Sequence, residues 1–297
     1  LSKLTAGEIS GNSSETYMES QRINIFATHA GENVSFVQTN YNDSSWRSLN
    51  LPHDCAVELP FDSNTVAGST EAYHGCKPVG NGSTNDIGWY RRTFTLSTNY
   101  VGQAIWLEFD GVYRNCLVWL NGHILGRNVS GYDSFSFDIS KYANAGGTNV
   151  LGVRVDAFRY EGWWYEGAGI YRHVWLVNAN PVHVAHWGTF VATTLLAGTN
   201  ATITLQTDVT NQSAEAASGN LTSTIYDASN NVVTNLTSVI NLAAGQDQVV
   251  TQTVTMGAHL WSLTTPYLYN LVSTVTNQGA LVDQYTTPFG VRTIVFD

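Results

Sequence analysis

Residues 161–176, Glu-Gly-Trp-Trp-Tyr-Glu-Gly-Ala-Gly-Ile-Tyr-Arg-His-Val-Trp-Leu, hold the most suggestive chemistry of the chain. Trp163, Trp164 and Tyr165 are consecutive, and Glu161 and Glu166 flank them. A flat ring covers the apolar C–H face of a sugar and a carboxylate accepts its hydroxyls, so this set suits a carbohydrate platform. The same rings would equally plug the end of a sandwich core, and the residues alone leave both readings open. A second carboxylate pair, Glu108 and Asp110, stands two apart on an expected strand, facing one side at about 7 Å. Neither pair has a neighbour that would raise a pKa as a general acid requires. Carboxylates solvated or hydrogen-bonded on a sandwich are the better reading. No Gly-x-Ser-x-Gly elbow occurs, and neither the 8 histidines nor the 3 cysteines show metal-ligand spacing. No cofactor and no metal are expected.

The elements that must position these residues read as strands almost throughout. Ile105–Gly111, Asn115–Leu120 and Val150–Asp156 are short β-rich runs bounded by Gly, Asn or Asp. Asn121-Gly122, between Trp119-Leu120 and His123-Ile124-Leu125, predicts a tight hairpin, because both residues tolerate the positive φ of a primed turn. No capped stretch with a 3.6-residue repeat appears. The pattern predicts an all-β protein with strands at sandwich-like spacing. Composition shifts near Asn178–Val182: most tryptophans precede that point, and Thr, Ser, Val and Asn dominate after it. Ala201–Val209 and Gln248–Thr255 then alternate apolar and polar residues, as strands with one wet face do. The expected divisions are a polar arm at 1–17, one domain at 18–180 and an immunoglobulin-like sandwich at 181–297.

Charged residues make up only 12% of the 297, the net charge is −10, and lysine is confined to Lys3, Lys77 and Lys141. That balance argues against nucleic acid and anionic membrane surfaces as partners. No apolar run approaches the roughly 20 residues of a membrane span. Nine Asn-x-Ser/Thr sequons occur, at Asn12, Asn33, Asn42, Asn81, Asn128, Asn200, Asn211, Asn220 and Asn235. With so few lysines they point to a secreted, extracellular glycoprotein, and they predict surface positions. Cys116 lies in an apolar run and is expected as a buried thiol, whereas Cys55 and Cys76 lie in loop-like sequence where a disulfide could form outside the cell.

Several pieces then coincide in order: Asp43-Ser-Ser-Trp-Arg-Ser-Leu-Asn-Leu-Pro-His-Asp54, Ile87-Gly-Trp-Tyr-Arg-Arg-Thr-Phe94, Leu107–Val112, Val118–Gly122, Gly131–Asp138, Glu161–Leu176 and Pro288-Phe-Gly-Val-Arg292. Together, over roughly residues 20 to 297, they resemble the amino-terminal half of glycoside hydrolase family 2, and its β-galactosidase-like members most. The resemblance implies a jelly-roll sugar-binding domain followed by an immunoglobulin-like domain, both preceding a catalytic (β/α)₈ barrel. Retaining hydrolysis needs two carboxylates about 5–5.5 Å apart across the scissile bond. In this family the barrel supplies them, and no positions here match them, so no catalytic residue is carried over. The resemblance implies instead that loops of the first domain complete the sugar site. Trp163 falls near the position where some galactosidases place an acidic contact, which leaves Glu161 or Glu166 as substitutes. Asp54 is a further candidate at the same opening, or else a turn residue capping backbone N–H groups. Tyr171 and Arg172 are expected to be structural. The implied role is the non-catalytic portion of a secreted hydrolase that acts on a β-linked glycoside. Its partners would be carbohydrate and a barrel, which could be a separate chain. The alternative is a barrel-less coat, fibre or lectin-like subunit that assembles with copies of itself.

Overall fold

The computed structural model describes residues 34–55, 57–58, 87–157, 167–196 and 198–293. The chain splits into two compact units between Asn178 and Ala179. Among the described residues, helix is limited to two 3₁₀ turns, Ser35–Val37 and Thr98–Tyr100. The protein is all-β, a jelly-roll sandwich followed by an immunoglobulin-like one.

The first unit contains β1 (Ile87–Thr95), β2 (Ala104–Phe109), β3 (Cys116–Leu120), β4 (His123–Asn128), β5 (Phe135–Asp138), β6 (Thr148–Asp156) and β7 (Val174–Ala179). They form a four-stranded sheet, β1-β6-β3-β4, and a three-stranded sheet, β5-β2-β7. Ile105, Leu107 and Phe109 of β2 meet Val118 and Leu120 of β3 and Leu151, Val153 and Val155 of β6 in one buried cluster. The predicted hairpin is present: Asn121 and Gly122 have φ of +52° and +83°, and they join β3 to β4.

All five residues of β3 are buried, as are eight of the nine in β6. A strand with one wet face would alternate; these do not, because the four-stranded sheet is covered on both sides. On its second face Trp89 and Trp119 stack with ring centroids 5.4 Å apart, and Phe36 meets Trp89 edge-on at 5.3 Å. Val37, Tyr41 and Trp46 complete this outer cluster. The cover is tied down by Arg91, whose buried guanidinium donates to the carbonyl of Gln38 at 2.9 Å and pairs with Asp43 at 3.1 Å. Gly152 in β6 lets the cover approach, since a Cβ there would lie 3.2 Å from Val37 Cγ1.

The second unit contains β8 (Val182–Leu195), β9 (Asn200–Asn211), β10 (Ala217–Tyr226), β11 (Val232–Leu242), β12 (Asp247–Gly257), β13 (Tyr269–Asn277) and β14 (Ala280–Phe289), arranged as β11-β10-β13-β14 and β12-β9-β8. The alternation read in β9 and β12 is that of a half-buried sandwich, with Ile203, Leu205 and Val209 inward. A wide bulge interrupts β8. Its Val184 pairs with Val209 and its Thr189 with Thr207, so four residues, Ala185–Gly188, oppose Asp208 alone. Trp187 within the bulge has φ of +54°, and its ring meets that of His186 at a tilt of 35°, with centroids 4.3 Å apart. Asp208 is shielded there, and that burial, reinforced by the charge of Asp247, raises its carboxyl above the usual range.

Trp119 is fully buried between the two layers that cover its sheet. Trp119→Ala is expected to cost about 3–5 kcal/mol, read as a lowered urea midpoint with unchanged m-value. A loss under about 1 kcal/mol would mean that the outer cluster is not part of the core.

Candidate functional site

Three segments converge at one end of the first unit: residues 51–55, residues 167–170 and the turn around Tyr113. The Leu51–Pro52 peptide is cis, and it precedes His53 and Asp54. The His53 N–H donates to the carbonyl of Ile170 at 2.8 Å, and the Cys55 N–H to that of Ala168 at 2.6 Å. Tyr113 and Gly169 exchange both of their backbone hydrogen bonds, at 2.9 and 2.6 Å. Asp54 closes the set, with Oδ1 accepting from the N–H of Ala168 at 3.1 Å and of Val57 at 3.2 Å. The chain threads this crowded point only because residue 169 is glycine. Its φ is +138°, and a Cβ there would lie 2.5 Å from both the His53 carbonyl oxygen and the Tyr90 hydroxyl.

Side chains reinforce the clamp. His53 Nδ1 lies 2.8 Å from the Tyr90 hydroxyl, and its Nε2 lies 3.1 Å from Arg47 Nη2 and 3.3 Å from Glu58 Oε1. Arg47 and Glu58 are themselves paired, which holds the Glu58 carboxyl below its ordinary range. Burial pushes the Tyr90 phenol far up, so its hydroxyl keeps its proton and acts as a fixed hydrogen-bonding group. On the other side, Asp156 ends β6 in a buried ion pair with Arg154 at 2.9 Å, and its N–H donates to the Arg114 carbonyl at 3.1 Å. Ala157 and residues 167–170 are all buried. Both feet of the segment between Ala157 and Gly167 are therefore anchored in the protein interior.

Glu161, Trp163, Trp164 and Glu166 lie in that segment, outside the described residues, as do Cys76 and the sequons at Asn12, Asn33 and Asn81. The proposed Cys55–Cys76 bridge therefore also falls outside them; Cys55 itself is buried. Asp54 is half-buried with its carboxylate turned onto backbone, the turn-capping geometry, and it positions the start of the Gly167–Ile170 run. Tyr171 donates to the Gly131 carbonyl at 2.8 Å and Arg172 to that of Asp110 at 3.1 Å, so both are tied to framework backbone. The Asp110 carboxylate is taken up by Trp175 Nε1 at 3.0 Å. Cys116 is a buried free thiol, pushed up to about 12 by desolvation, which leaves it unreactive. The sequence marks Asp54 but not His53, Tyr90 or Gly169. The Leu-Pro-His-Asp run contains the histidine, but nothing local marks Tyr90 and Gly169 as its neighbours.

Four sequon asparagines, Asn42, Asn200, Asn220 and Asn235, are exposed as expected. Asn211 corrects the expectation of a surface position. It is fully buried, and its Nδ2 donates to the carbonyls of Glu215 and Ala243 at 2.7 and 3.1 Å. The amide is an internal strap between β9 and the end of β11, and its Asn-x-Ser spacing serves Ser213, whose N–H and hydroxyl both bond Asn211 Oδ1. Asn128 is half-buried, with Nδ2 shielded from solvent.

A cavity of about 630 Å³ opens where β1 and β7 edge their two sheets. Its floor is the aliphatic inner surface of the sandwich, including Leu107, Leu151 and Val153. Among the described residues of its lining Asp43 is the one carboxylate, and it is paired with Arg91. Among the described residues no group of three or more His, Cys, Asp or Glu could hold a metal ion. No helix among them is long and apolar enough to cross a membrane.

Comparison with known proteins agrees with this architecture. The family description "Glycosyl hydrolases family 2, sugar binding domain" matches residues 43–180, and "Glycosyl hydrolases family 2" matches residues 182–292. The chain belongs to glycoside hydrolase family 2 and carries its two amino-terminal β-domains. It is 39% identical over 271 residues to the β-galactosidase BoGH2A of Bacteroides ovatus, covering 91% of this chain and 31% of that protein. Among solved structures it is similar to a family 2 member from Bacteroides cellulosilyticus, with TM-score 0.77, 30% identity, and coverage of 90% of this chain and 35% of the other. A β-glucuronidase of Bacteroides uniformis gives TM-score 0.76 at 28% identity, covering 89% and 31%. The chain thus spans about a third of the length of the relatives it matches.

Gly169→Ala is expected to destabilise the first unit by about 2–4 kcal/mol, because strain and overpacking act together where neither backbone can retreat. A denaturant titration of the variant measures it; an unchanged midpoint would show that the clamp is not closed in solution.

Proposed function

We propose that this chain is the non-catalytic amino-terminal portion of a secreted β-galactosidase-like hydrolase, and that it supports and completes the sugar site of a catalytic barrel. The observation that carries the reading is the pair of consecutive family 2 matches across residues 43–292, in a chain that spans 31% of a β-galactosidase 39% identical to it. The buried Ala157 and Gly167–Ile170, which flank the Trp163–Trp164 segment in the chain, support the reading, since a fixed frame lowers the ordering cost of binding. The one acid among the described residues of the cavity lining, ion-paired with Arg91, supports a non-catalytic role. Exposed sequons at Asn42, Asn200, Asn220 and Asn235 support secretion.

The test uses the 297-residue chain with chromogenic β-galactosides and β-glucuronides. No turnover above background is expected. Binding of the parent sugar is expected to weaken about tenfold or more in the Trp163→Ala/Trp164→Ala double variant at unchanged thermal midpoint. Measurable hydrolysis by the chain would overturn the non-catalytic reading. A double variant that loses stability and no affinity would make the two rings core plugs.

A further inference from the structure

We propose that the sandwich of the second unit holds an ordered internal water cluster, bound by buried polar side chains that lie between the two halves of its core. The apolar core of this unit is two clusters rather than one, the first built on Val209, Leu221 and Val275, the second on Leu205, Ile225 and Leu271. On β9, β10 and β13 one polar side chain stands where the first cluster gives way to the second. On β9 it is Thr207, between Val209 and Leu205; on β10 it is Ser223, between Leu221 and Ile225; on β13 it is Ser273, between Val275 and Leu271. Thr189 on β8 is the direct cross-strand partner of Thr207, as Ser223 is of Ser273, while Gln252 on β12 pairs with Leu205, next along the ladder on the same face.

Thr207, Ser223 and Ser273 are fully buried. The hydroxyl oxygens of Thr189, Thr207, Ser223 and Ser273, together with Gln252 Oε1, are shielded from solvent and have no hydrogen-bond partner among the described residues. Buried polar groups are nearly always satisfied, by protein or by ordered water. Facing sheets lie about 10 Å apart, and Ser and Thr are shorter than the Leu and Ile on either side of them, so these side chains fill less of the gap between the sheets than their neighbours do. Hydroxyls both donate and accept and carry no charge, which matches water rather than an ion. Gln252 flanks these residues on the β12 side, and its Nε2 donates to Ser238 Oγ of β11 at 2.9 Å. At the other side the β8 bulge, Ala185–Gly188, directly precedes Thr189 and interrupts the ladder between β8 and β9, giving the water a route to exchange with bulk.

The direct test is a crystal structure of the chain together with ¹⁷O relaxation dispersion, which counts long-lived internal waters from the water oxygen itself. Ordered density within hydrogen-bond distance of at least two of these hydroxyls is expected, with a dispersion amplitude that falls in the Ser223→Val/Ser273→Val variant. Density that is absent, or hydroxyls turned onto backbone carbonyls, would overturn the proposal. So would an amplitude unchanged in a variant shown to be folded by its far-UV spectrum. Should the variant fail to fold, the density in the parent chain decides alone.

Discussion

The first unit depends on one close approach, the crossing of residues 53–55 over residues 168–170 with Tyr113 behind them. Four backbone hydrogen bonds and the Asp54 carboxylate meet around a position that admits no side chain. Long-range contacts of this kind are costly to assemble, because loop entropy is lost before the bonds form. Once formed, they fix the exit of the segment that follows β6 as firmly as β6 fixes its entry. The buried Arg154–Asp156 pair makes that entry specific, since separating it would leave a charge alone in the interior.

The crossing sits on a sheet that is covered twice. β3 and β6 are buried on both faces, by the three-stranded sheet on one side and by Phe36, Val37 and Trp46 on the other. Arg91 joins these levels: it belongs to β1 yet holds the cover at Gln38 and Asp43. Sheet, cover and crossing thus share residues, and the network of His53, Tyr90, Arg47 and Glu58 sits on their common border. The chemistry of this site is positional. Among the described residues its carboxylates are taken up by framework partners: Asp54 caps backbone N–H groups, Glu58 pairs with Arg47, and Asp110 accepts from Trp175 Nε1.

Much of the fold was legible because it follows local rules. Period-two alternation marked β9 and β12, and Asn121-Gly122 marked the β3–β4 turn. The unbroken apolar run at Cys116–Leu120 matched a strand covered on both faces. What could not be read was the set of contacts joining distant positions. Nothing around Gly169 shows that its Cβ site is taken by His53 and Tyr90, and nothing around Asn211 shows that its amide is spent on carbonyls of β11 and the turn beyond. The sequon at Asn211 misled because Asn-x-Ser is also the spacing of a self-bonded turn. The buried polar side chains of the second unit looked like ordinary strand alternation, since Thr207 and Ser223 become unusual only once their sheets face one another.

Amide hydrogen exchange on the folded chain tests the central claim most directly, read at the N–H groups of His53, Cys55, Tyr113 and Gly169. If the crossing is part of the core, these amides exchange only through global unfolding, with protection equal to that of Val118 and Val153 in β3 and β6. Exchange at the rate of exposed turns, while β3 and β6 stay protected, would contradict it: the feet of the aromatic segment would then be free, and the site would lack the fixed frame on which its proposed role rests.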